Sequence, residues 1–309
     1  MPNFSRLTVQ RKAVGFDHPT QLPRDEEERR SWQAANRAWW ESAPMRYDWH
    51  EEPAQSPGSE AYFKEIDRRF LAAARSVVPW QRIPFDAVIP FDDLRAMDVL
   101  EIGVGQGTHA QLLAAHAKSF VGIDLTKAAT CMTATRLKLF GLPGSVVQMD
   151  AERMGFSDES FDFVWSWGVV HQSADTQRVL AEIHRVLRPG GRCTVMVYYR
   201  SWWNYRVMGL LRAVVERQAD SLHHVSQRGT DGAIARYYKP REWQAAVRGL
   251  FALDSIEIFG LKSDVVPLPY GRLKQRVVSA LPDPFARFLT RHLRMGSLLL
   301  ARMRKAAPR

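Results

Sequence analysis

The stretch MDVLEIGVGQGTHAQLLAAHA (97–117) decides the fold. Its first part, MDVLEIGV (97–104), is a strand-like run that closes in a turn carrying Gly103, Gly105 and Gly107. THAQLLAAHA (108–117) follows with the pattern of a helix. A strand that turns through glycines into a helix is the framework of a nucleotide site. Glycines let the backbone turn sharply and approach a ligand with no Cβ in the way, and the helix start aims free N–H groups at it. Alone, the motif also reads as an ordinary tight turn.

The surroundings repeat the unit. SFVGIDLT (119–126) is a second strand ending in Asp124, and KAATCMTATRLKLFGL (127–142) a helix closed by Gly141. SVVQMDAE (145–152) is a third strand ending in Asp150, and FDFVWSWGVV (161–170) a fourth. The amphipathic DTQRVLAEIHRVLRPGG (175–191) and the strand RCTVMVYY (192–199) complete the series. Strands of continuous apolar residues belong to a sheet covered on both faces. With right-handed crossovers, the result is an α/β fold with a doubly wound sheet. Asp124 stands 21 residues beyond Gly103, where a ribose diol needs an acceptor. Asp150 ends the neighbouring strand beside the same crevice.

In order and spacing, VLEIGVGQG, GIDLT, QMDAE, FDFVWSWGVVH and EIHRVLRPGG resemble the class I S-adenosylmethionine-dependent methyltransferases, nearest the branch called methyltransferase type 11. The resemblance covers about residues 95–200. It implies a Rossmann-like seven-stranded sheet, parallel with one antiparallel strand, and helices on both faces. FALDSIEIFG (251–260) and GSLLLARMRK (296–305) would be the sixth and seventh strands, the seventh inserted antiparallel between the fifth and sixth. The core would span 95–309, with acceptor-side insertions at about 201–240 and 262–295, and residues 1–94 would form an aromatic-rich helical lid or extension. The implied cofactor is S-adenosyl-L-methionine, with S-adenosyl-L-homocysteine as product. Glu101, Gly103, Gly105 and Gly107 would form the methionine-side pocket, and Asp124 would accept both ribose hydroxyls beside Leu125. Asp150 and Ala151 would meet the adenine edge, and Trp167 would lie by the methionine portion through its backbone. A dehydrogenase is the rival for a glycine loop, but its spacing is G-x-G-x-x-G, whereas this chain has G-x-G-x-G. Glu101 would also sit badly beside a pyrophosphate and well beside an ammonium and a sulfonium.

Methyl transfer needs alignment, a dry site and, for some acceptors, a proton sink; it needs no metal. His171, in WGVVHQSAD, is the candidate general base, or else a residue packed at the strand end. Tyr198 and Tyr199 end the fifth strand, and alternation predicts that one of them faces the crevice. Trp39, Trp40, Tyr47 and Trp49 form either a lid near the sulfonium or a helix packed on the sheet edge, with Tyr47 the first candidate as a cofactor neighbour. In SWWNYRVMGLLRAVVER (201–217), Trp202, Trp203 and Tyr205, together with Tyr199, suggest a hydrophobic or aromatic small-molecule acceptor. Arg272, Lys274 and Arg276 suggest a carboxylate or phosphate on it, or a lid against a membrane surface.

Composition sets the outer bounds. The 309 residues are 46% hydrophobic and 25% charged, the balance of a globular protein rather than a disordered one. Cys131 and Cys193 lie far apart, which excludes zinc clusters and disulfide frameworks. No apolar run spans a bilayer, and MPNFSRLTVQRK lacks an apolar signal core, so a cytoplasmic enzyme is expected. The net charge of +10 is uneven: −2 over residues 1–60, +3 over 61–260 and +9 over 261–309. That basic end reads as a solvated face or as a contact for a membrane or another anionic partner. A nucleic-acid methyltransferase lacks support, since no N-P-P-Y, D-P-P-Y or Pro-Cys signature and no RNA-binding module is present. A lipid-directed methyltransferase is a further alternative, and a cofactor-binding protein without catalysis is the one from another class.

Overall fold

The computed structural model describes residues 17–47, 52–75, 77–215, 221–268 and 271–306. Trp49 and the segment MPNFSRLTVQRK lie outside them. The described strands are β1 (Asp98–Ile102), β2 (Ser119–Asp124), β3 (Ser145–Gln148), β4 (Phe161–Trp167), β5 (Leu187–Tyr199), β6 (Tyr237–Tyr238), β7 (Phe251–Phe259) and β8 (Leu298–Lys305). They form one sheet in the order β3-β2-β1-β4-β5-β8-β7, with β6 beside the end of β5. β8 runs antiparallel to both neighbours, and the other pairings are parallel. The late strand is therefore inserted between β5 and β7, as expected.

The sheet has one more strand than the expected seven. Pairing of β4 with β5 stops at Trp167–Met196, because Gly168 turns the chain at φ 79°. Tyr198 and Tyr199 would then carry orphan backbone groups along that edge. Tyr237 and Tyr238 pair with them instead. Two residues are too few to show periodicity, so the sequence places them only within an insertion. The helix before β5 also ends earlier than the Pro-Gly-Gly stop suggests: it spans Thr176–Val186, and Leu187 is already extended at ψ 137°.

Alternation along the strands divides the core into two layers. Leu100, Ile102, Val164, Val195 and Val197 face one layer with Val179, Leu180 and Ile183. Val99, Phe163, Trp165 and Met196 face the other with Ala110, Leu113 and Leu137. Burying each large side chain of this kind contributes about 1.5–3 kcal/mol. The helices supplying these layers are α1 (Glu26–Ser42), α2 (Glu60–Arg75), α3 (Thr108–Ala114), α4 (Lys127–Leu139) and α5 (Thr176–Val186).

The N-terminal helices are capped, and tied to α3 and α4, by polar contacts. Asp25 caps α1 by accepting from the Glu28 N–H. Glu41, at the other end of α1, accepts from the Lys127 and Ala128 N–H groups at 2.8 and 3.0 Å, capping α4. From α2, Asp67 accepts from Thr108 Oγ1 at 2.7 Å and pairs with the buried Arg136 at 2.5 Å. The chain reverses direction across the sheet between β1 and β4, which opens a crevice beyond their carboxyl ends.

Candidate active site

A cavity of about 810 Å³ fills this crevice. Residues 103–106 of the glycine turn form its floor, whereas Gly107 packs against Thr133 and Arg136 away from it, and each of the three glycines has a positive φ. A Cβ on Gly103 would lie 2.1 Å from Val169 Cγ2, so only glycine fits there. A Cβ on Gly105 would meet nothing within 4 Å, and this residue borders the cavity. The Gly105 N–H donates to Asp124 Oδ2 at 3.3 Å, while Asp124 Oδ1 accepts from the Thr126 N–H and hydroxyl at 3.0 and 2.8 Å. Burial pushes the Asp124 carboxyl up, and those hydrogen bonds oppose the shift.

Glu101 lies beneath the turn, 2% exposed and behind the cavity wall rather than on it, and its Oε2 has no hydrogen-bond partner among the described residues. Burial raises its pKa well above the ordinary carboxylate value, the nearby Asp124 adds to this, and Arg136 works against it. An unpaired buried carboxylate is costly unless a cation or proton joins it. The donor set therefore fits a ligand with a cationic end over Glu101 and a diol over Asp124.

Leu125 and Ala151 border the cavity next to Asp124. Asp150 does not; its Oδ1 accepts from Gln33 Nε2 at 2.8 Å and the Glu152 N–H at 2.9 Å. Trp167 borders it and also stacks on Trp165 at 5.6 Å and meets Phe85 edge-on at 5.1 Å. That aromatic packing is what admits a large residue here. His109, unremarked in the sequence, is wedged against Trp165, Trp167, Phe70 and Phe85, and burial lowers its pKa to about 3.

Tyr47 reaches the cavity from the N-terminal segment with φ 53°, its ring stacked on Phe70 at 4.9 Å. Gln33, Asn36 and Trp40 of α1 line the same wall, whereas Trp39 is core beside Trp32. Gln33 and Asn36 were missed. A polar pair spaced i, i+3 within a stripe of tryptophans was the available signal.

At the far end of the cavity, both Tyr198 and Tyr199 contribute to the wall, so the expectation that only one would do so is not met. Their rings do lie in different clusters, but the cavity wraps around the end of β5 and meets both. Tyr205 and Tyr237 join them, with Tyr205 Oη 3.0 Å from His223 Nδ1. Burial raises the Tyr205 pKa to about 12, so its hydroxyl stays protonated. Trp202 lies away from the cavity, half-exposed, donating Nε1–H to the Leu293 carbonyl. His171 is fully buried and does not border the cavity. Its ring packs on Tyr198 at 4.0 Å, neither ring nitrogen has a hydrogen-bond partner, and burial lowers its pKa to about 3. No metal-binding cluster occurs among the described residues.

A doubly wound sheet with a glycine turn, a diol-ready carboxylate and an orphan acid is an arrangement that suits an adenosyl cofactor. Residues 100–195 match the family described as a methyltransferase domain. Together with the sheet order, this makes the segment a class I S-adenosylmethionine-dependent methyltransferase domain, and its cofactor is S-adenosyl-L-methionine. A phthiotriol/phenolphthiotriol dimycocerosates methyltransferase of Mycobacterium tuberculosis is 42% identical over 101 residues, which is 32% of this chain and 37% of that one. The chain thus matches little more than a third of that relative's length. A ubiquinone/menaquinone biosynthesis C-methyltransferase of Ralstonia nicotianae is 27% identical over 186 residues, 56% of this chain and 74% of that one. A solved S-adenosylmethionine-dependent methyltransferase from Mesorhizobium loti superposes with a TM-score of 0.50 at 16% identity, covering 72% of this chain and 95% of that one. That likeness concerns the fold alone.

Proposed function

We propose that the protein methylates a lipophilic small molecule bearing a polar group, using S-adenosyl-L-methionine. One observation carries the reading: a single cavity joins the glycine turn and Asp124 to a tyrosine-lined chamber. Its volume of about 810 Å³ lies towards the upper end of the usual range for small-molecule sites. The matched relatives bear the names of a dimycocerosate methyltransferase and a quinone-pathway methyltransferase, which supports an apolar acceptor.

When bound, the cofactor would supply an electrophilic methyl group on a sulfonium, for transfer to a nucleophile of the acceptor. The chain's own part is placement. Glu101, from behind the turn, would balance the ammonium by its charge, Asp124 would hold the ribose hydroxyls, and Leu125 and Ala151 would flank the adenine. Asp150 acts at one remove, positioning Gln33 and the turn at Glu152. Gln33, Asn36, Trp40 and Tyr47 make the N-terminal segment a lid that keeps water out. Tyr198, Tyr199, Tyr205 and Tyr237 orient the acceptor. His171 is a positioning residue behind Tyr198 rather than a base, since it does not reach the cavity.

Calorimetry with the donor and with S-adenosyl-L-homocysteine tests the donor half. Asp124→Ala should weaken both by about 10–100-fold, the worth of hydrogen bonds to a charged group, while the fold persists. Unchanged affinity would remove Asp124 from the site. For the acceptor, products that gain one methyl are sought by mass spectrometry of lipid-soluble and water-soluble extracts incubated with protein and labelled donor. Products confined to the water-soluble fraction would refute the lipophilic acceptor.

A further inference from the structure

The two acceptor-side insertions leave an unusual amount of apolar surface uncovered. On α6 (Met208–Val215), Leu210, Leu211 and Val214 are exposed, Val214 to 68%. On α7 (Arg272–Ala280), Leu273 and Val277 are exposed one turn apart, Leu273 to 65%. Phe285, Phe288 and Leu293 of the same insertion are exposed as well. The two insertions are joined, since exposed Trp202 donates to the carbonyl of exposed Leu293 and the Trp203 indole donates to the Asp264 carbonyl. Arg212 of α6 and Val278 and Ser279 of α7 line the same cavity, so both helices reach its rim.

Charge decides the occupant. Residues 201–215 and 262–295 carry nine Lys or Arg against only Asp264 and Asp283. Exposed Arg206, Arg272, Arg276 and Arg294 make no ion pair with a carboxylate of the described residues. Both acids are engaged internally, Asp264 with Ser297 and the Leu261 N–H, Asp283 with Lys262. Apolar side chains at helix surfaces, rimmed by free arginines, suit an anionic bilayer surface: the apolar groups enter the acyl boundary and the guanidiniums meet phosphate groups.

We propose that this cap docks on an anionic lipid bilayer, with the acceptor cavity opening beside it. Arg212, Val278 and Ser279 border both the cap and the cavity, so an apolar acceptor would pass from the bilayer to the tyrosines with little exposure to water. The route rests on the lipophilic-acceptor reading; the docking does not, because it requires neither donor nor acceptor.

The test is cosedimentation of the full chain with vesicles of phosphatidylcholine alone and of phosphatidylcholine with phosphatidylglycerol. The chain should bind the anionic vesicles much more tightly, with binding falling as salt rises. Arg272→Ser, Arg276→Ser and Arg294→Ser together should weaken binding about a hundredfold, from the usual contribution of each basic residue near such a surface. Leu273→Ser, Phe285→Ser and Phe288→Ser together should also release the protein. Melting temperature and donor affinity, read separately, should stay at the wild-type values in both variants. Wild-type binding that is absent, or that neither variant alters, would overturn the proposal. So would a wild-type dimer dissolved by the apolar variant, which would give the face to a second copy. Absence of donor binding by calorimetry would instead refute the methyl-transfer reading and leave the docking result standing.

Discussion

The two ends of the cavity are built from different materials. The donor end is backbone and charge: a turn with three positive φ values, one carboxylate tied to a peptide N–H, and one buried acid without a partner. The acceptor end is aromatic side chains, brought from β5, from the turn after it and from β6. Backbone geometry tolerates almost no substitution, whereas side-chain walls can be repapered while the fold stands. The difference explains how one donor can serve many acceptors on such a sheet.

Four experiments would break or sharpen this contrast. The largest effect belongs to Gly103→Ala, which combines φ 82° with a Cβ placed 2.1 Å from Val169. Strain and overpacking together should cost about 3 kcal/mol or more and abolish donor binding. A wild-type denaturation midpoint with intact binding would show that the turn is more pliable than the contrast allows.

Next is acid sensitivity. His109 and His171 have folded pKa values near 3, against an ordinary 6.5. Between those values the unfolded chain binds more protons, so stability should fall as pH drops from about 6.5 towards 3. The slope is at most about 1.4 kcal/mol per pH unit for each histidine. His171→Phe should remove roughly half of that slope in pH-dependent denaturation, and an unchanged slope would mean that the ring titrates normally.

Glu101→Gln should act in opposite directions on stability and binding. It removes a carboxyl whose ionisation is disfavoured by burial, so the ligand-free protein should melt higher at neutral pH. Donor affinity should drop about tenfold as the ammonium loses its counter-charge. A lower melting temperature would show that the acid already has a stabilising partner. The smallest effect is expected for Tyr205→Phe, which deletes the hydroxyl beside His223. Acceptor turnover should change a few-fold, for about 1 kcal/mol, with donor affinity untouched. A parallel loss of donor affinity would erase the distinction between the ends.

The same contrast governs what the amino-acid string revealed. Gly103, Gly105, Asp124 and the five core strands were legible because each answers to a local rule of turn, period or strand end. β8 between β5 and β7 was legible only through resemblance, since pairing partners 100 residues apart leave no local trace. Gln33, Asn36 and His109 were missed because their importance comes from what lies across the cavity. Trp202 shows the reverse error, since it sits near a site motif in sequence yet caps a distant carbonyl, while His171 takes the packed alternative behind Tyr198. The two-residue β6 was invisible because it exists to complete the hydrogen bonding of another strand.

Glu41 carries a consequence for the N-terminal helix. Its carboxylate caps α4 just beyond Asp124 and Leu125, while the same helix places Gln33 and Asn36 on the cavity wall. If donor bound in this cavity meets Gln33 and Asn36, seating α1 and filling the donor site would share one coupling free energy. Saturating donor would shield α1 from proteolysis, and trimming the chain ahead of α2 would loosen the donor by the same factor.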